Sequence, residues 1–264
     1  MIDIHSHILP GLDDGAADLG ISLEMARSAA GEGVRAIVAT PHYIPGVYKN
    51  DSETVLKSVD KLNSCIQKEK IPLTVIPGVE AYIDILLPSR VKNKEILTIN
   101  NGGKYLLIEF PMSEVPNYSE QVIFELMLSG ITPIIAHPER NKAIINNPRL
   151  LFSLLNKGAL VQLTAASLKG VWGKSINELA VNFLKLGWVH FIATDAHSPS
   201  GSRSLSISKV VPDLEAIIGE EQARSLIFEN PNRVIKGVPI TVDNYAEYPK
   251  GKKRGWKKFF WFFK

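Results

Sequence analysis

Apolar and polar positions alternate at the start of the chain, where Ile2 and Ile4 are interleaved with Asp3 and His5. A two-residue period is that of a short strand, and this one runs into His-Ser-His and a Pro-Gly turn. A different period follows. Over residues 18–33 the apolar side chains of Leu19, Leu23, Ala26, Ala29 and Ala30 recur at helical spacing, and Gly31 and Gly33 close the run. Residues 36–39 are a short apolar, β-branched run ending in Thr40-Pro41-His42, and residues 52–70 are again amphipathic at helical spacing. The beat then repeats, with strand-like runs at 73–76, 105–110, 132–136, 159–163 and 189–194. Helical stretches near 119–129, 148–157 and 175–186 separate the last four of these. Seven strands alternating with helices predict an α/β chain with a parallel sheet, and closing that sheet into a barrel buries both edges.

This pattern gives the polar residues near each strand end a common address. They are His5 and His7, His42, Glu80, Glu109, His137, and Asp195 with His197, and only the sixth strand supplies none. His5 and His7 are two apart on an extended chain, so their side chains leave on the same face and both imidazoles can converge on one ion. Neutral imidazole is the commonest metal ligand. Taken singly, each residue has a plainer reading. An H-x-H pair fits two hydrogen-bonded surface histidines, and Glu80 in IPGVEAY or Glu109 in LLIEF fits a buried acid paired with an arginine. Together they do not, because a βα barrel gathers its functional residues at the carboxyl ends of its strands, and six strands deliver acids or imidazoles there. His190, at a strand's start, reads as structural or solvent-facing.

Composition sharpens the picture in three ways. A chain of 264 residues that is 45% hydrophobic has ample material for a globular core and is neither disordered nor fibrous. Its net charge of +3 is misleading, because residues 250–264 carry seven Lys or Arg and no acid, which leaves −4 for the rest. A mildly acidic body argues against a nucleic-acid groove. The start lacks a basic and apolar leader, and no run of apolar residues is long enough to span a bilayer. These features, with a single cysteine, Cys65, predict a cytoplasmic protein. The organisation expected is a barrel over 1–240 followed by a basic, aromatic tail over 241–264.

The motifs themselves carry a resemblance. The H-x-H after the first strand, Thr40-Pro41-His42, the glutamate after the third strand, AHPER at 136–140 and TDAH at 194–197 resemble the PHP (polymerase and histidinol phosphatase) superfamily of metal-dependent phosphoesterases. The likeness covers residues 1 to about 235. More closely, DIHSHILPGLDDGA, GVYKN, LIEFP and AHPERN resemble the bacterial manganese-dependent protein-tyrosine phosphatases of capsule and exopolysaccharide loci. That resemblance implies a distorted seven-stranded (βα)7 TIM-like barrel and three metal positions. His5, His7, Glu80 and Asp195 would hold the first; Glu80, as a bridge, with Glu109 and His137 the second; Asp14, His42 and His197 the third. Histidinol-phosphatase-like branches often have histidines where this chain has Asp14 and Glu109, so this site carries more carboxylate charge. Such oxygen-rich sites with histidine suit Mn²⁺ or Fe²⁺, with Co²⁺ and Zn²⁺ also accommodated.

The implied chemistry is attack on a phosphate ester by a hydroxide bridging the metals, which also clamp the phosphate oxygens. A thiol route is closed, since it needs an arginine six residues after the cysteine and Cys65 is followed there by Ile71. A phenolate leaves readily, its conjugate acid having a pKa of about 10. Arg140 and Arg203 are the candidate transition-state clamps, because guanidinium forks suit phosphate oxygens. As implied by the resemblance, the substrate is a phosphotyrosine protein, a bacterial tyrosine kinase of the same polysaccharide pathway. Two other readings share these residues: hydrolysis of a small phosphate ester such as histidinol phosphate, and a partner-binding module without activity. The tail, GKKRGWKKFFWFFK, is too short to span a bilayer, and its lysines and aromatics fit peripheral contact with an anionic membrane surface.

Overall fold

The computed structural model describes residues 1–204, 207–240, 242 and 245–249. It is an α/β chain built on parallel strands. Strand β1 (Ile2–Ser6) pairs with β2 (Ala36–Ala39); a hairpin of β3 (His42–Ile44) and β4 (Tyr48–Lys49) follows β2. Next come β5 (Thr74–Pro77), β6 (Glu80–Tyr82), β7 (Tyr105–Glu109), β8 (Thr132–Ala136), β9 (Leu160–Thr164) and β10 (Phe191–Ala193). One sheet has the order β1-β2-β5, the other β10-β9-β8-β7-β6-β3-β4.

Two of the seven expected strands, at 36–39 and 73–76, are each followed after a short break by a further strand that continues the run. β2 and β3 are one run interrupted at Thr40-Pro41, where proline has no amide hydrogen for a ladder. β5 and β6 are one run interrupted at Pro77-Gly78, and a Cβ at Gly78 would lie 2.7 Å from Val38 Cγ1, so only glycine lets the two runs pack this closely. The backbone also joins the two sheets at their other margin. Ser6 bridges Ala196 in parallel, His7 N–H donates to Ala196 O at 2.8 Å, and Asp195 N–H donates to His5 O at 2.9 Å. Buried Asp3 accepts from the amide and the hydroxyl of Thr194 and so ties β1 to the end of β10. Seven strand positions thereby follow one another around a ring.

The packing agrees with that closure. Ile4, Val38, Leu107, Ile134, Leu160 and Phe191 come from six different strands and form one buried apolar cluster with Ile76 of β5 partly buried against it. Helices cover the outside. In α1 (Leu19–Gly31) the buried residues are Ser22, Leu23, Met25, Ala26 and Ala29, and in α2 (Ser52–Lys68) they are Val55, Val59, Leu62 and Ile66. That three-and-four spacing turns one face of each to β2 and β5, whose Ile37, Ala39 and Val75 share their cluster. Asp18 and Asp51 cap the two helices by accepting from Ile21 N–H and Thr54 N–H.

His190 is buried rather than solvent-facing: its Nδ1 accepts from Val161 N–H at 3.1 Å and its Nε2 meets Tyr245 Oη at 3.0 Å. Beside it, Trp188 Nε1 donates to Ala246 O and the Trp188 ring meets Tyr248. Residues 245–249 thus lie along the barrel at the start of β10. The basic, aromatic segment 250–264 lies outside the described residues. Among the described residues, no helix is long and apolar enough to cross a membrane.

Candidate metal centre

The carboxyl ends of the strands bring all nine residues singled out for metal binding into one cluster. His5 is in β1 and His7 follows it, His42 opens β3, Glu80 opens β6 and Glu109 ends β7. His137 follows β8, and Asp195 and His197 follow β10. Asp14 arrives from the loop after β1. His137 and Asp195 each sit at positive φ (34° and 53°), an uncommon conformation for residues with a side chain, at the step where their strands end. The loop carrying Asp14 is held close by Gly15, where a Cβ would fall 2.2 Å from His7 O.

The ring tautomers can be read from their outer partners. His5 Nδ1–H donates to Gln162 Oε1 at 2.9 Å, and His7 Nδ1–H to Asp13 Oδ2 at 2.7 Å. His197 Nδ1–H donates to the carbonyl of Asp195 at 2.8 Å. Each of the three therefore turns an Nε2 lone pair inward. His5 Nε2 and His7 Nε2 are 3.2 Å apart, and both are 3.3 Å from Glu80 Oε2 and from Asp195 Oδ1. With those rings neutral, four acceptor atoms face one another. His42 Nδ1 and Glu80 Oε2 approach to 3.0 Å, yet each is buried without a hydrogen-bond partner.

The remaining contacts extend the cluster to both sides. His137 Nε2 is 2.9 Å from Glu80 Oε1 and 3.8 Å from Glu109 Oε1, and His42 Nδ1 is 3.6 Å from Glu109 Oε2. Asp14 Oδ1 lies 3.3 Å from His197 Nε2 and 3.6 Å from His42 Nε2. Among the described residues, three groups have donor atoms that all lie within 4.8 Å of one another: His5, His7 and Glu80; His42, Glu80 and Glu109; His7, Asp14, His42 and His197. Asp195 and His137 touch these groups without belonging to such a set. Facing acceptors are what a divalent cation resolves, and the donor set of imidazole and carboxylate suits one.

Protons are the competing occupants. Burial works against an imidazolium at His5, but Glu80 and Asp195 outweigh it and raise the pKa to about 9. Burial is likewise the largest influence on Glu80, opposed and overcome by His5, His137 and His42, which hold it well below the usual carboxylate range. Burial and then Glu80 push Glu109 up. His197 is lowered, chiefly by burial, which agrees with its neutral tautomer.

Arg140 and Arg203 stand at the edge of the cluster. Arg140 donates to Asp195 Oδ2 at 2.6 Å, and its guanidinium lies 4.9 Å from the centre of the Trp172 ring. Arg203 donates to Asp14 Oδ2 at 3.0 Å and to His197 Nε2. Sequence reasoning missed Gln162, the contribution of the sixth strand, because it lies within β9 rather than past its end. Its signal is a polar residue amid an apolar strand, LVQLT. Asp13 was visible in the Asp13-Asp14 pair; the resemblance singled out Asp14 as the ligand, but no spacing in the sequence gave Asp13 its outer role.

Residues 1–236 match the family described as capsular polysaccharide synthesis, CpsB/CapC. The tyrosine-protein phosphatase YwqE of Bacillus subtilis (strain 168) is 41% identical over 263 residues, covering 100% of both chains. The putative tyrosine-protein phosphatase CapC of Staphylococcus aureus is 46% identical over 198 residues, 75% of this chain and 77% of the relative. Crystal structures of YwqE from Bacillus subtilis and CpsB from Streptococcus pneumoniae are described as metal-dependent tyrosine phosphatases; the match has a TM-score of 0.90 at 40% identity, covering 95% of this chain and 100% of the other. Histidinol phosphate phosphatase from Lactococcus lactis shares the fold, with a TM-score of 0.55 at 12% identity over 86% of this chain and 96% of its own.

Proposed function

The chain belongs to the CpsB/CapC family of capsular polysaccharide synthesis, and from that membership we infer that it is a metal-dependent protein-tyrosine phosphatase. The observation that carries the reading to residues is the convergence of His5 Nε2, His7 Nε2, Glu80 Oε2 and Asp195 Oδ1 as mutually facing acceptors. We assign the first cation to these four residues, a second to Glu80, Glu109 and His137, and a third to Asp14, His42 and His197. Mn²⁺ is the proposed ion, on the grounds that four carboxylates and five imidazoles favour a metal that takes oxygen and nitrogen together. Held by these residues, divalent cations would supply a water of lowered pKa and neutralise phosphate charge.

The chain's own residues do the rest. Asp13 and Gln162 hold the His7 and His5 rings with their lone pairs inward, so the site is preorganised. Arg140, braced between Asp195 and Trp172, and Arg203, braced by Asp14 and His197, present guanidinium hydrogens to the phosphoryl oxygens where negative charge grows. A tyrosine leaving group departs as a phenolate and needs little help from a protein acid, which favours phosphotyrosine over phosphoserine. The proposed physiological substrate is a bacterial tyrosine kinase that regulates capsule or exopolysaccharide synthesis. The proposed setting is the cytoplasm, with the segment 250–264 resting on an anionic membrane surface through its lysines and aromatics. The deciding experiment compares a phosphotyrosine peptide, its phosphoserine counterpart and histidinol phosphate with Mn²⁺ present, after chelation, and after Mn²⁺ is restored. Loss and recovery on the phosphotyrosine peptide, with slower cleavage of the others, is expected. Faster cleavage of histidinol phosphate would move the assignment to a small-ester hydrolase.

A further inference from the structure

The mouth of the cluster is two-sided. Arg140 follows β8 and Arg203 lies beyond β10, so the cationic side chains occupy one arc of the ring. The opposite arc is β3, β6 and β7, which are neighbours in the sheet and deliver His42, Glu80 and Glu109. Just past these strands stand four large apolar side chains that water reaches freely. Val47, in the turn between β3 and β4, is 69% exposed; Ile85 and Leu86, beyond β6, are both 56% exposed; Met112, beyond β7, is 42% exposed. Next to Val47, the Tyr48 ring lies nearly parallel to the His42 imidazole, with centres 5.9 Å apart at 15°. The apolar arc therefore continues inward to the cluster.

Exposed apolar side chains drawn from the loops after three neighbouring strands do not serve the barrel core, and apolar surface gathered at a mouth marks an interaction site. We propose that Val47, Ile85, Leu86 and Met112 form a docking rim for an extended segment of the protein substrate, reading apolar side chains that flank the phosphotyrosine. This rests on the phosphatase reading above. The occupant follows from continuity: a phosphorylated side chain that places its phosphate between the arginines and the cluster carries its neighbouring residues over the opposite, apolar arc. A free amino-acid phosphate or a small ester would leave the rim uncovered.

The test uses the full chain loaded with Mn²⁺ and three substrates: a phosphotyrosine peptide with Leu and Phe beside the tyrosine, the same peptide with Gly and Ser there, and 4-nitrophenyl phosphate. The wild-type chain should prefer the apolar-flanked peptide by roughly tenfold in kcat/KM, through KM, as expected for covering one or two apolar side chains. Ile85→Ser with Leu86→Ser, and separately Met112→Ser, should erase that preference while the Gly/Ser peptide is cleaved as before. A wild-type chain indifferent to the flanks would overturn the rim. So would variants that lose all three substrates alike, which would make these side chains structural. A change in sedimentation from dimer to monomer in the variants would give the rim to a second copy and also overturn the proposal. Failure to hydrolyse any of the three with Mn²⁺ would instead bring down the phosphatase reading itself.

Discussion

At the scale of single residues, the site is organised by the atoms that do not face it. His7 is useful as a ligand only while Nδ1 keeps its proton, and Asp13 Oδ2, 2.7 Å away, fixes that tautomer. Asp13 also accepts from the amides of Gly15 at 2.9 Å and His42 at 2.9 Å, so one carboxylate positions a loop, a proposed ligand and the start of β3. Asp13→Ala should weaken Mn²⁺ binding by roughly 10–100-fold, as loss of such outer partners does elsewhere. Calorimetric titration of metal-free protein reads this without any activity assay, and an unchanged affinity would reduce Asp13 to a loop residue. Arg140 has a different expected signature. If its guanidinium meets the phosphoryl group as charge develops, Arg140→Ala should lower kcat by on the order of a hundredfold while bound metal stays constant. Normal turnover in that variant would return Arg140 to its visible role of pairing with Asp195 and stacking on Trp172.

At the scale of elements, the sequence exposes what depends on periodicity and hides what depends on contact. Seven strand positions were legible because apolar runs of four to six residues alternate with helices, and the ends of β7 and β8 agree with the pattern to within a residue. β3, β4 and β6 were not, since runs of two or three residues set off by Pro41 or Gly78 have no period to detect. The same limit hid Gln162, whose role exists only when β9 lies near β1 in the closed ring. His190 shows how an element's start can matter as much as its end. Its Nδ1 accepts from Val161 N–H, so a proton there would remove the acceptor from a buried amide of β9. Burial lowers its pKa to about 3, against about 6.5 in an unfolded chain. Between those values the unfolded state takes up a proton that the native state refuses. The stabilisation is therefore complete above about pH 6.5 and declines as the pH falls toward 3. His190→Gln should cost stability at pH 7, and the gap between variant and wild type in urea unfolding should narrow by about 3 kcal/mol at pH 4.5. A gap that stays constant with pH would show that His190 does not titrate in this way.

At the scale of the whole molecule, the proposed ligands and the last described residues lie at opposite poles of the barrel. Residues 245–249 run beside Trp188 and His190 at the start of β10, the pole opposite the metal cluster. We propose that the basic, aromatic segment 250–264, which lies outside the described residues, makes the membrane contact. Deleting residues 252–264 should abolish co-sedimentation with anionic liposomes, given about 1 kcal/mol per basic residue near such a surface, and preserve peptide hydrolysis. Equal sedimentation at low salt with and without the segment would dismiss the idea. The catalytic pole makes a thermodynamic demand as well as a chemical one. The proposed ligands come from six of the seven strand positions, so cations bound there would tie together a ring whose margin is otherwise joined by Asp3, Thr194 and a few backbone contacts. Without cations, acceptors face acceptors at 3.2 to 3.3 Å, and only protons relieve them. Anything that binds the native state alone stabilises it by mass action, about 2.7 kcal/mol at a hundredfold excess over Kd. Melting the chelated protein across a series of Mn²⁺ concentrations should therefore show a Tm that climbs steadily with the logarithm of free metal. His137→Ala, which removes one proposed ligand, should flatten that climb. Mg²⁺, which is reluctant to exchange its water for imidazole, should produce a smaller one. A Tm indifferent to both chelator and Mn²⁺ would mean that the strand ends are held by protons and packing alone, and the assignment of these residues as metal ligands would have to be abandoned.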